Sequence, residues 1–176
     1  MKKILTSAIL ATTLLASSAS AEFLTFEFDT TAYQAGSDTT TSAQSFTLGF
    51  KVDKNLRAGI MQETGSTKHT TAGGAVTNSS YTATALNLEY AAMEGSVNAI
   101  IGLNLGSLNT AAIGPAAAGS FLMTDIYAKT SYNASKTASL DLKLGYRMLP
   151  ITDPAATPTF TNQNAPFVKI GVGIKF

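Results

Sequence analysis

The sequence predicts an all-β fold: eight strands forming an antiparallel, up-and-down transmembrane β-barrel. Three observations carry this expectation. Apolar residues recur at every second position in eight separate segments. The links between those segments alternate long and short. Only 13% of residues are charged and none is cysteine, so the apolar alternation has neither the polar cover nor the staples usual in a small soluble exported domain.

The chain opens with MKKILTSAILATTLLASSASA, in which Lys2 and Lys3 precede an apolar run from Ile4 to Leu15 and small residues at 19–21. This is the pattern of a cleaved signal peptide, and the run is too short to span a bilayer as a helix. Cleavage after Ala21 leaves residues 22–176 as one barrel domain. Without Lys2 and Lys3, ten basic residues face eleven acidic ones. That balance speaks against a general attraction for nucleic acid.

The first segment, FLTFEFD, sets Leu24, Phe26 and Phe28 against Thr25, Glu27 and Asp29. SFTLGFKVD sets Phe46, Leu48, Phe50 and Val52 against Thr47, Gly49, Lys51 and Asp53. In LRAGIMQE, Leu56, Ala58 and Ile60 oppose Arg57, Gly59, Met61 and Glu63, although Gln62 falls on the apolar face. TALNLEY opposes Leu86, Leu88 and Tyr90 to Asn87 and Glu89, and VNAIIGLNL opposes Val97, Ile101, Leu103 and Leu105 to Asn98, Gly102 and Asn104. LMTDIYAKTSY places Leu122, Ile126, Ala128 and Tyr132 opposite Met123, Asp125, Tyr127 and Lys129. SLDLKLGYRM is the most regular, with Leu140, Leu142, Leu144, Tyr146 and Met148 alternating with Asp141, Lys143, Gly145 and Arg147. The eighth, APFVKIGVGIKF, alternates Val168, Ile170, Val172, Ile174 and Phe176 with Lys169, Gly171, Gly173 and Lys175. The first and fourth are short for a tilted span of about 9–11 residues and would need to borrow flanking residues.

Tight links at DKN, AAMEG and NASK alternate with four long Thr-, Ser-, Ala- and Gly-rich ones. One rim of tight turns and one of long loops is the pattern of a membrane barrel with turns on the periplasmic side and loops outside. In hydrocarbon a sheet must close so that every backbone group is paired. The apolar face then points to lipid and the charged, glycine-containing face points inward.

The leader, the eight segments and the terminal KIGVGIKF together resemble the small bacterial outer-membrane β-barrels of the OmpA/OmpX/opacity-protein type. The resemblance implies an outer-membrane location, with lipid and lipopolysaccharide around the wall. Val168, Ile170, Val172, Ile174 and Phe176 are similar to the signal read by the barrel-assembly machinery. With no tryptophan, Tyr90, Tyr132, Tyr146 and Phe176 would form the interfacial girdle.

The inward set contains Glu27, Lys51, Arg57, Glu63, Glu89, Asp125, Lys129, Asp141, Lys143, Arg147 and Lys169. Symmetry about NASK pairs Lys129 with Asp141 and sets Asp125 diagonal to Arg147 or Lys143. Closure of the last strand on the first would bring Lys169 near Glu27. Lys51 and Arg57 face each other as like charges across DKN, with Glu89 the candidate to relieve them. Such a lumen fits a charge-and-glycine plug; the alternative is a small porin or a narrow conduit for ions or small solutes.

Little points to catalysis. The one histidine, His69, falls in an expected loop of Gly, Thr and Ala, which would not hold it as part of a triad. Without cysteine, and with a single histidine, no metal site or cofactor is expected. A lipid-modifying enzyme using Glu27 with Glu63 or Glu89 is the third reading. The expected role is structural, or a monomeric surface-interaction role in which long extracellular loops meet a host or surface ligand.

Overall fold

The computed structural model describes residues 22–29, 39–70, 76–110, 119–148 and 165–176, with the backbone alone at 39–41, 67–70, 76–79, 110 and 165. The expected signal peptide and its cleavage site lie outside the described residues, as do most residues of the loop-side links. Eight antiparallel strands follow chain order around a closed barrel. They are β1 (Phe23–Asp29), β2 (Thr39–Lys51), β3 (Leu56–Thr70), β4 (Val76–Met93), β5 (Val97–Thr110), β6 (Gly119–Asn133), β7 (Ala138–Met148) and β8 (Ala165–Lys175). β8 pairs back onto β1, from Phe23 opposite Lys175 to Asp29 opposite Lys169, so the ladder closes without an edge there.

Several strands run further than the apolar alternation reaches, β3 and β4 among them. β3 and β4 stay paired from Leu56 opposite Tyr90 to Thr70 opposite Val76, so the expected link of residues 64–80 shrinks to 71–75. The backbone of His69 therefore belongs to strand β3, not to a loop. β4, whose apolar core looked too short, is the longest strand at 18 residues. The cause is visible in the outward positions, which turn from Ile60 and Leu86 to Gln62, Thr64, Ser66, Ser80, Thr82 and Thr84. Threonine favours strand geometry and hydroxyl pairs sustain a ladder beyond the apolar belt. Ser42 and Ser66 make one such pair, their hydroxyls 3.1 Å apart.

The two faces separate sharply. Leu122, Leu140, Ile126, Ile170 and Ile101 are 51–63% exposed on the outer surface, with Phe28, Leu142 and Val172 beside them. Leu24 shares that register but is buried. Glu27, Glu63, Glu89, Asp125, Lys129, Asp141, Lys143, Arg147 and Lys169 point inward and are no more than 9% exposed. Tyr90, Tyr132, Tyr146 and Phe176 are all exposed on the outside. This arrangement suits a hydrocarbon solvent outside and a polar interior.

The inner wall contains more than charges and glycines. Four inward glycines each stand directly opposite an inward aromatic on the next strand: Gly49 with Phe23, Gly65 with Tyr81, Gly102 with Tyr127, and Gly145 with Phe167. Each ring lies over its glycine so closely that a Cβ there would sit 2.1–2.4 Å from a ring atom. Aromatic packing over glycine is the device that lets large rings fold down inside a narrow barrel. Ala43, Met61, Ala83, Ala85, Leu108 and Met123 add an apolar cluster around Tyr81.

Candidate functional site in the barrel lumen

Because side chains alternate across each strand, the charged residues of β1, β3, β4, β6, β7 and β8 converge on one enclosed space. Arg147 on β7 bridges two of its carboxylates. Its Nε donates to Asp125 Oδ1 at 2.7 Å and Nη2 to Asp125 Oδ2 at 2.9 Å. Nη1 and Nη2 donate to the two oxygens of Glu63 at 2.5 and 3.0 Å. A guanidinium offers a rigid fork of donors, so one arginine bridges two carboxylates bidentately.

Glu63 also accepts from Lys169 and, at 2.9 Å, from the Tyr81 hydroxyl. Asn104 donates to Asp125 at 3.1 Å. Lys169 and Arg147 both lie near the Phe167 ring, 5.3 and 5.9 Å from its centroid.

A second group lies toward the turn side. The Lys143 ammonium is 2.6 Å from the Glu27 carboxylate, which also accepts from Ser45 at 3.3 Å. Lys129 donates to Glu89 at 2.5 Å and Tyr127 donates to the same oxygen at 3.0 Å. Tyr127 joins the parts: Asn87 donates to its hydroxyl at 2.6 Å and Lys143 sits 4.3 Å from its ring centroid. Asp141 accepts from Ser131 at 2.6 Å and Ser139 at 3.1 Å. Four cations and five carboxylates thus share an interior in which each unpaired charge would carry a large desolvation cost.

Several expected pairings are corrected by the register. β6 and β7 place Lys129 opposite Lys143 and Ser131 opposite Asp141, so Lys129 and Asp141 are diagonal, not facing. The turn is centred one residue later than NASK suggests. Ser135 takes the backbone N–H groups of Thr137 and Ala138 on its hydroxyl, and Asn133 pairs with Ser139. A shift of two in the paired register leaves every facing intact, so orientation survived while partners changed. Asp125 faces Arg147 directly. Lys169 reaches Glu63, and Glu27 is taken by Lys143. Lys51 and Arg57 do face each other, but Arg57 pairs with Glu94 at 2.9 Å while Glu89, its cross-strand neighbour, turns to Lys129. Lys51 is exposed at the turn-side mouth, outside the lumen network.

Sequence alternation could not mark the neutral members of the network. Asn104, Tyr81 and Tyr127 are each buried and hydrogen-bonded to its carboxylates, and the buried Asn87 donates to Asn104 and Tyr127. Their signal was an inward position opposite a glycine or another asparagine.

No protein-family model and no curated relative matches the sequence. Solved structures do. Neisserial surface protein A matches at a TM-score of 0.60 and 13% identity, over 89% of this chain and 96% of that one. The outer-membrane protein OprG of Pseudomonas aeruginosa matches at 0.57 and 12%, over 89% and 96%. The N-terminal β-barrel domain of OprF from the same organism matches at 0.51 and 11%, over 89% and 99%. At such identities the likeness speaks for the fold alone. This chain has the fold of the small eight-stranded outer-membrane β-barrels.

Proposed function

We propose that the chain is exported by a cleaved leader of residues 1–21 and resides in a bacterial outer membrane as a non-enzymatic structural or surface-interaction barrel with its lumen plugged. The single observation that carries the plug is the Glu63–Arg147–Asp125 bridge, which ties β3 to β6 and β7 across the interior. Lys169 and Tyr81 join it at Glu63 and Phe167 lies beside Arg147, while Lys143, Glu27 and Tyr127 fill the lumen toward the turn side. On this reading the work of the protein falls to its outer wall and its loop-side links, where a host or surface ligand would dock. Lipid and lipopolysaccharide surround the apolar belt, and β8 presents Val168, Ile170, Val172, Ile174 and Phe176 to the assembly machinery.

Planar-bilayer recording tests the plug. The wild-type barrel should give no stable single-channel steps, whereas Arg147→Ala combined with Lys169→Ala should open a leak. Regular steps from the wild type, altered by either substitution alone, would instead establish the small-porin reading.

A further inference from the structure

The turn-side end of the barrel opens into a cleft of about 570 Å³ whose lining includes Lys51, Arg57, Lys136, Lys175, Glu22 and Glu94. Lys51 and Arg57 stand directly opposite each other on β2 and β3, an arrangement of like charges that is unfavourable without a counter-charge. Arg57 uses one Nη on Glu94, and its Nε is buried without a hydrogen-bond partner among the described residues. Glu22 is engaged by the backbone N–H of Lys51 at 2.8 Å. Lys175 donates to the neutral Asn133 Oδ1 at 2.5 Å and feels the like charges of Arg57 and Lys51, with Asp141 and Glu94 as its counter-charges. Among the described residues, Lys51, Lys136 and Lys175 have no ion pair.

We propose that this mouth binds a phosphate-bearing anion. A buried guanidinium donor without an acceptor costs stability until an acceptor arrives, and Arg is matched to phosphate by its planar fork. The three lysines supply point charges around it, and the cleft is open enough to admit the ligand from the turn side. The phosphate could be carried by a soluble solute or by a lipid headgroup of the adjacent leaflet; the chemistry recognised is the same.

The full barrel, folded in a maltoside detergent that lacks phosphate, is titrated with inorganic pyrophosphate and separately with short-chain phosphatidylglycerol, while backbone amide shifts are followed by NMR. Saturable shifts at Gly95, Asn98 and Asn133 are expected, with affinity falling about tenfold or more in Arg57→Gln and weakening as salt rises. Response to pyrophosphate alone assigns a soluble ligand, response to the lipid alone a headgroup, and response to both a site open to either. Lys136→Gln with Lys175→Gln leaves the Arg57–Glu94 pair in place and should also weaken binding several-fold; it decides the matter if Arg57→Gln fails to fold. Saturation by neither probe, or wild-type affinity in the folded variants, overturns the proposal.

Discussion

Replacing Arg147 with leucine would remove four charge-assisted hydrogen bonds at once, two to Glu63 and two to Asp125. The carboxylates left behind would differ in fate. Glu63 keeps Lys169 and the Tyr81 hydroxyl. Among the described residues, Asp125, which has no exposed surface, keeps only the Asn104 amide. Removing one partner of a buried pair costs about 3–5 kcal/mol, because the other charge stays desolvated and uncompensated.

Most of that cost should reside on Asp125. A second substitution, Asp125→Asn, removes the stranded charge and keeps the shape, so the double variant should recover about 1–3 kcal/mol relative to Arg147→Leu alone. The assay is urea unfolding in detergent micelles. Unfolding is followed by circular dichroism and by the heat-dependent gel shift, because the chain contains no tryptophan. Linear extrapolation gives the free energies. A loss below about 1 kcal/mol for Arg147→Leu, or a double variant no better than the single, would refute an interior in which Arg147 neutralises Asp125.

Other consequences are checked by the same unfolding measurement or by assembly. Gly102→Ala places a methyl 2.1 Å from the Tyr127 ring. It should cost about 1–3 kcal/mol through overpacking, against about 1 kcal/mol for Tyr127→Phe, which removes only the hydroxyl's bonds. Thr47→Val should be neutral or slightly stabilising, since the buried Thr47 hydroxyl has no hydrogen-bond partner among the described residues. A clear loss of stability would expose a partner there. Leu142→Arg puts a charge among lipid tails and should cost about 2–4 kcal/mol, seen as reduced insertion into vesicles. Insertion at the wild-type level would mean that Leu142 does not face lipid.

Much of this fold is legible in the chain because a two-residue period is fixed by strand geometry. Leu140, Leu142 and Leu144 could fall only on one face and Asp141, Lys143 and Arg147 only on the other. The segments matched strand ends best where apolar alternation runs up to the turn, as at Phe23–Asp29 and Ala165–Lys175. They failed for β3 and β4, where the ladder continues through Thr, Ser and Gln that carry no hydropathy signal.

Partners inside the lumen were the least legible part. Reading Lys129 against Asp141 required the turn centre, and one residue of error there moved each partner by two positions. Lys169 with Glu63 and Lys143 with Glu27 join strands that are not neighbours, so no ladder rule could have found them. Those contacts depend on side-chain length across a narrow barrel, which a linear reading does not contain.

The face that meets lipid can be measured directly, residue by residue. Since the chain has no cysteine, single cysteines can be placed in turn at residues 140–147 of the folded protein in vesicles. Each carries a nitroxide, and collision with oxygen dissolved in the acyl chains is measured. High oxygen accessibility at 140, 142, 144 and 146, with low values at 141, 143, 145 and 147, is the predicted result. The opposite phase, or a flat profile, would contradict an apolar exterior around a charged interior.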